Sequence, residues 1–127
     1  VIWTGYLSNQ GVSAAFGIVD ICVLPYQDGV SFRRGSLMAA LAHGLPIVST
    51  YPRVPIPELV HGENIYLVPP GEVNPLAEAI IRLADNPALC ARLRQGAQAL
   101  ARRFQWEDIA QRTLQLYDKI LSEQISR

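Results

Sequence analysis

The residues with the most chemistry to offer lie between Pro25 and Thr50, in PYQDGVSFRRGSLMAALAHGLPIVST. The polar loop here holds Asp28, Gly29, Ser31, Arg33, Arg34, Gly35 and Ser36, and it runs directly into a helical pattern. Such a junction suits anions. The first N–H groups of a helix have no intrahelical acceptor, and the helix dipole places partial positive charge beside them. Adjacent arginines add planar forks of donors that match phosphate oxygens. The stretch therefore predicts a phosphate-bearing ligand at the helix start. Plainer readings exist for the same residues. Asp28-Gly29 makes a turn on its own chemistry, Arg33 and Arg34 read as a solvated pair, and Ser36 as an N-cap. His43, just before Gly44, suits the negative end of the helix. His61 and Glu58 fall in a later loop that could face a ligand.

Elements of alternating type must position that loop. VIWTG (1–5) reads as a short strand closed by Gly5, and residues 9–18 as a weak helix interrupted by glycine. ICVLP (21–25) is an apolar run stopped by proline, as in a strand buried on both faces. Ser36 to His43 is helical, with Gly44 at the C′ position and Pro46 beyond. PIVST (46–50) is the next buried strand. YPRVPIPELV (51–60) is a stiff, proline-rich loop ending in a possible turn at 57–60, and Ile65–Val68 is a further strand. From Asn74 the pattern is helical. Leu76, Ala79, Ile80 and Leu83 share one face, Asp85-Asn86-Pro87 breaks and restarts the helix, and Leu89, Leu93, Ala97 and Leu100 share the next. A last helix carries Trp106, Ile109, Leu114, Tyr117, Ile120 and Leu121. Apolar strands alternating with helices predict an α/β fold, a Rossmann-like parallel sheet with flanking helices and a helical C-terminal tail. Ligands of such sheets sit beyond the carboxyl ends of the strands, where the 25–36 loop falls. Consecutive helices without an intervening strand suggest packing elsewhere, for instance on another domain.

Composition bounds the function. The 127 residues fit one domain: a βα core over 1–72 and a helical tail over 73–127. Half are hydrophobic and 17% are charged, the balance of a soluble globular protein. Lys and Arg total 11, as do Asp and Glu, so no overall field calls for nucleic acid. Arg33-Arg34 is a local feature. No apolar run has the length of a membrane span. Cys22 and Cys90 lack metal-ligand spacing and read as buried free thiols in a reducing, cytoplasmic compartment. The chain opens on Val1 within an apolar run, which reads as a strand entered partway and a fragment of something longer.

Several motifs then converge. VIWTGYLS, ICVLPYQDG, ALAHGLPIVST, IPELVHGENIYLVPPG and the tail from Ala84, with Phe104–Glu107 as an aromatic-x-Trp-Glu signature, occur in one order. In that order the chain resembles the C-terminal, nucleotide-sugar-binding domain of GT-B fold glycosyltransferases of the glycosyl transferases group 1 family. Members carry two glutamates eight positions apart, one approaching the donor sugar and one holding the ribose hydroxyls. Counting from Pro25 puts Asp28 and Ser36 at these positions, whereas counting back from the Gly44-Leu45-Pro46 turn puts Ser31 and Ala39 there. The second register is preferred for the helix, because insertions enter loops rather than helices. Neither places a carboxylate at the ribose position.

The resemblance implies a nucleoside-diphosphate sugar as donor and transfer of its sugar to an acceptor. No cofactor or metal is expected, and no Asp-x-Asp pair is present to hold one. Implied donor contacts are Asp28, Gly29, Ser31, Arg33, Arg34, Gly35, Ser36 and Glu58, with Gly5, Tyr6 and Leu7 near the nucleobase. Retention of anomeric configuration is implied too. The acceptor domain and two strand–helix units are expected to be missing upstream. That would leave the 1–5 strand as an open edge prone to self-association, and the isolated chain without activity. The full-length protein is expected in the cytoplasm, or peripherally at a membrane. The alternative from another class is a non-catalytic nucleotide-binding or protein-interaction domain of the same fold. A response-regulator receiver fails, since the only lysine, Lys119, lies in the tail.

Overall fold

The computed structural model describes residues 3, 5, 8–104 and 106–125, excluding the side chains at 9, 12, 13, 106–112, 124 and 125. In order these form α1 (Asn9–Phe16), β1 (Cys22–Leu24), α2 (Gly35–Ala42), β2 (Ile47–Thr50), β3 (Tyr66–Val68), α3 (Val73–Ala84), α4 (Pro87–Arg102) and α5 (Trp106–Ile125). Of the predicted strand at 1–5, residues 1, 2 and 4 lie outside the described residues, and Trp3 and Gly5 are assigned to no strand. The rest of the predicted α/β order is present, with shorter strands. Pro25 ends β1. Pro46 has no N–H for the ladder, so β2 begins one residue later, although the Pro46 carbonyl still accepts from Cys22 N–H at 2.9 Å. The predicted 9–18 helix stops at Phe16, before Gly17.

The sheet is parallel, with order β1-β2-β3 and β2 in the centre. Every residue of β2 is buried, as expected of a parallel strand covered on both faces. Alternation along β2 divides the core. Ile47 faces Leu37, Ala40 and Leu41 of α2 with Ala97 and Leu100 of α4. Val48 faces Ala79 and Leu83 of α3 with Cys90 and Leu93 of α4. Each fully buried Leu or Ile here contributes about 1.5–3 kcal/mol of hydrophobic stabilisation. Packing of α3 and α4 onto the sheet corrects the expectation that the tail packs elsewhere. The stripes of Ala79/Leu83 and Leu93/Ala97/Leu100 are what cover the two sheet faces, and a bare parallel sheet needs that cover. The α5 helix turns large apolar side chains outward, including Leu114 at 64% and Tyr117 at 60% exposure, and Val73 and Ile81 of α3 are exposed as well.

Caps and turns follow the sequence. Asn86 accepts a hydrogen bond from Leu89 N–H at 3.0 Å ahead of Pro87, as an N-cap should. Gly44 ends the α2 segment at φ +62°, a left-handed turn that glycine adopts freely. Both cysteines are buried and unpaired. No helix among the described residues is long and apolar enough to cross a membrane.

Candidate functional site

Two hydroxyls of the central strand fix the carboxyl end of the sheet. Ser49 Oγ donates to the Leu24 carbonyl at 2.8 Å, and Thr50 Oγ1 donates to the Tyr26 carbonyl at 2.8 Å. Val30 N–H donates back to the Thr50 carbonyl at 3.3 Å. The loop leaving β1 is thus tied to β2 at both of its ends. At its tip, Gly29 adopts φ +89°, and a Cβ there would stand 2.5 Å from the Tyr51 carbonyl oxygen and 2.9 Å from the Arg53 amide nitrogen. Only glycine permits this approach of two backbones. The loop after β1 and the loop after β2 therefore become facing walls.

Between those walls lies a cleft of about 380 Å³. Of the sequence-predicted residues, Asp28, Gly29, Ser31, Arg33 and Arg34 line it, and Arg53 joins them from the opposite wall. Arg53 was read only as part of a stiff loop. Its signal is a lone cation at the third position of a proline-rich segment that leaves the carboxyl end of a buried strand. Tyr26, Ser49 and Thr50 were also missed, and they act by holding the loop. A second cavity of about 490 Å³ shares Asp28 and Arg53 and extends past Gln27, Tyr51 and Pro70.

The cleft is cationic, with three arginines against one carboxylate. That carboxylate is already engaged. Asp28 forms an ion pair with Arg34, whose guanidinium carbon lies 4.7 Å from the centre of the Tyr26 ring. Arg34 is therefore held in place. Arg33 is exposed, and neither it nor Arg53 has an ion-pair partner among the described residues.

Gly35 and Ser36 stand at the start of α2 and do not line the cleft. Ser36 is not the N-cap that one reading expected. The helix begins at Gly35, the N-cap position falls to Arg34 without a side-chain cap, and Ser36 Oγ instead hydrogen-bonds the Tyr26 hydroxyl. Tyr26 competes successfully for that oxygen because Thr50 holds its backbone nearby. Among the described residues the Gly35 and Ser36 N–H groups have no acceptor. His43 follows the last turn of α2, where its Nδ1 lies 2.8 Å from the Ala39 carbonyl, consistent with a helix-end role.

Glu58 is half-buried in the 51–64 loop and is not a lining residue of the cleft. Its carbonyl accepts from Asn64 Nδ2 at 2.8 Å, while Asn64 Oδ1 accepts from Val60 N–H at 2.9 Å, so Asn64 staples this loop. Gly5 has φ +64°, a turn conformation. Tyr6 and Leu7 lie outside the described residues. No group of three or more potential metal-ligating side chains converges among the described residues.

Residues 1–86 match the protein family described as glycosyl transferases group 1. Over 116 residues the chain is 34% identical to an exopolysaccharide phosphotransferase of Streptomyces coelicolor, covering 90% of this chain and 12% of that protein. It is 32% identical over 121 residues to the phosphatidyl-myo-inositol mannosyltransferase of Mycobacterium leprae, covering 91% and 31% respectively. The chain thus spans less than a third of the length of these relatives. Among solved structures, sucrose-phosphate synthase of Thermosynechococcus elongatus superposes with a TM-score of 0.76 at 25% identity, over 94% of this chain and 30% of that one. Anabaena HepE, solved in complex with UDP, superposes with a TM-score of 0.69 at 24% identity, over 85% and 29%. Motif order, sheet topology and these likenesses agree: the chain belongs to the glycosyl transferases group 1 family and has the α/β architecture of GT-B glycosyltransferases.

Proposed function

We propose that the chain is the donor-binding part of a nucleotide-sugar-dependent glycosyltransferase. The cleft between the 27–34 and 51–56 loops would receive the diphosphate of the donor. The observation that carries this is the pairing of Arg33 and Arg53 on facing walls, at the carboxyl end of a parallel sheet, with no acidic partner for either among the described residues. Ser31 adds a hydroxyl donor within the same cleft. The N–H groups of Gly35 and Ser36 offer further donors at the helix start. Gly5, Tyr6 and Leu7 belong to the proposal as nucleobase neighbours, and Glu58 as a donor contact reached from the adjoining loop. The UDP bound by the HepE neighbour makes a nucleoside diphosphate the reasonable first ligand to test.

Glycosyl transfer breaks the bond from the sugar anomeric carbon to the diphosphate oxygen, and negative charge develops on the leaving diphosphate. Guanidinium groups lining the cleft would stabilise that charge, and Arg34, held by Asp28 and Tyr26, would do so with little reorganisation. The one carboxylate of the cleft, Asp28, is held by Arg34, which supports a metal-independent reaction with arginine as counter-charge. The acceptor side is proposed to come from a separate domain, so the 127 residues alone are expected to bind donor without transferring sugar.

Calorimetric titration of UDP, GDP and ADP into the chain, beside an Arg33→Ala/Arg53→Ala double variant, tests the reading. Binding of one nucleotide, weakened about tenfold or more in the variant, supports it. Equal binding by the two proteins refutes the cleft assignment. The absence of a free carboxylate in the cleft favours one second reading, a nucleotide-binding domain that performs no transfer. A longer polypeptide that binds nucleotide yet neither transfers nor hydrolyses its sugar would establish that second reading.

A further inference from the structure

Beyond the arginine cleft, a further groove of about 350 Å³ runs beside β3, lined by Tyr51, His61, Tyr66, Glu78 and Arg82. Three of these are aromatic and touch in sequence. The Tyr51 and His61 rings lie 6.3 Å apart at 41°, and the His61 and Tyr66 rings 4.6 Å apart at 64°. The backbone sets the state of the central ring. Leu67 N–H donates to His61 Nδ1 at 3.0 Å, so the neutral imidazole carries its proton on Nε2, and His61 is exposed. Across the groove, Glu78 and Arg82 lie one turn apart on α3, a spacing that commonly forms an ion pair. Here neither has an ion-pair partner among the described residues, and both are exposed.

We propose that this groove is a saccharide-binding subsite that seats one pyranose ring. The argument is one of shape and donor chemistry. A pyranose presents a C–H face that packs on aromatic rings and a rim of hydroxyls that each donate and accept. The Tyr51–His61–Tyr66 corner supplies the face. Glu78 supplies an acceptor, and Arg82 and the His61 Nε2–H supply donors, all around one opening. A nucleobase fits this corner poorly. The His61 and Tyr66 rings are in contact and steeply inclined, so they leave no parallel slot for a flat heterocycle.

The groove also opens in a useful direction. Tyr51 lines both it and the cavity that contains Asp28 and Arg53. A sugar chain seated on Tyr66, the first residue of β3, would therefore run along that strand toward its carboxyl end and the proposed donor cleft. The subsite is independent of that cleft and stands or falls on different residues.

Saturation-transfer NMR on the 127-residue chain tests it, with methyl α-glucoside, methyl α-mannoside and maltotriose as probes. The expected result is transfer to sugar ring protons, with affinity falling about tenfold in Tyr51→Ala and in Glu78→Gln and unchanged in Arg33→Ala/Arg53→Ala. Both positions are exposed, so the single variants leave the core intact. Tighter binding of maltotriose than of the methyl glycosides identifies a glycan chain as the ligand, and equal binding identifies a single sugar. Absence of transfer from every probe in the folded protein overturns the proposal. So does transfer that persists in both groove variants, or displacement of the sugars by uridine. Failure of the parent chain to bind UDP, GDP or ADP, with sugar binding intact, would defeat the donor-cleft reading alone.

Discussion

Gly29→Ala perturbs the one backbone contact on which both walls of the cleft depend. The cost has two parts. At φ +89° an alanine enters a region that L-residues avoid, at about 1–2 kcal/mol. Its methyl would also meet backbone atoms, at 2.5 Å from the Tyr51 oxygen, 2.9 Å from the Arg53 nitrogen and 3.1 Å from the Pro52 Cα. No flexible side chain is available to yield. The two loops must part by roughly half an ångström or more, an overpacking cost of about 1–3 kcal/mol. The sum, about 2–5 kcal/mol, is a large share of the roughly 5–15 kcal/mol that holds a typical domain together. A fall in Tm on the order of 10 °C follows.

The functional effect follows from the same displacement. Arg53 sits on the wall that is pushed away from Arg33 and Arg34, so nucleotide affinity should fall even below the melting transition. Gly35→Ala is the matched control. Nothing lies within 4 Å of a Cβ at Gly35 and its φ is not positive, so alanine there should be neutral or raise stability by a few tenths of a kcal/mol. Thermal melts by circular dichroism and titration with UDP on both variants supply the readings. If Gly29→Ala melts with the parent and binds UDP equally, the two loops do not meet as described and the cleft is not built this way.

Three other outcomes are expected. Thr50→Val keeps shape but deletes the bond to the Tyr26 carbonyl, so the urea midpoint should correspond to a loss of about 1 kcal/mol, with weaker UDP binding. Asp28→Asn releases Arg34 from its ion pair, and UDP affinity by calorimetry should rise a few-fold. Stability should change by less than about 0.5 kcal/mol, because the pair is largely solvent-exposed. Burial pushes the Cys22 thiol up. Below about pH 8 the thiol is protonated in both states and adds no slope; above that the unfolded chain loses its proton first, so stability falls as pH rises. Urea midpoints across alkaline pH should show a shallower fall in Cys22→Ala, and native Cys22 should react slowly with maleimide at neutral pH.

Much of the fold was legible because its signals are local. Pro25, Gly44, Pro46 and the Asp85-Asn86-Pro87 break each act on their own backbone, so the element boundaries near them came out within a residue or two. Apolar runs at 21–25 and 46–50 announced strands buried on both faces, and β2 is buried throughout. The destination of the helical stripes was not legible. Leu93 and Ala97 mark a buried face equally well whether the partner is this sheet or another domain. Only the packing shows α4 serving both cores.

The candidate site divides along the same line. Asp28, Gly29, Ser31, Arg33 and Arg34 are contiguous and carry their polarity openly, and the structure gathers all of them around one cleft. Arg53 joins through a contact across 24 positions of sequence, which rests on a missing methyl at Gly29. Nothing in the letters R-V-P announces that partner. Ser49 and Thr50 were likewise hidden, since polar residues inside an apolar strand have meaning only once the acceptors at Leu24 and Tyr26 stand beside them. On the proposed reading, this arrangement would let the cleft do without a carboxylate at the ribose position that the family resemblance implies. Under the proposed function its recognition chemistry would rest on cations from two loops, and those loops are locked to each other through backbone and hydroxyl contacts. A change of ligand-touching side chain therefore leaves the frame standing, whereas a change at Gly29 or Thr50 moves every charge at once. Recognition at Arg33 and Arg53 should be tunable one residue at a time, and the frame should not.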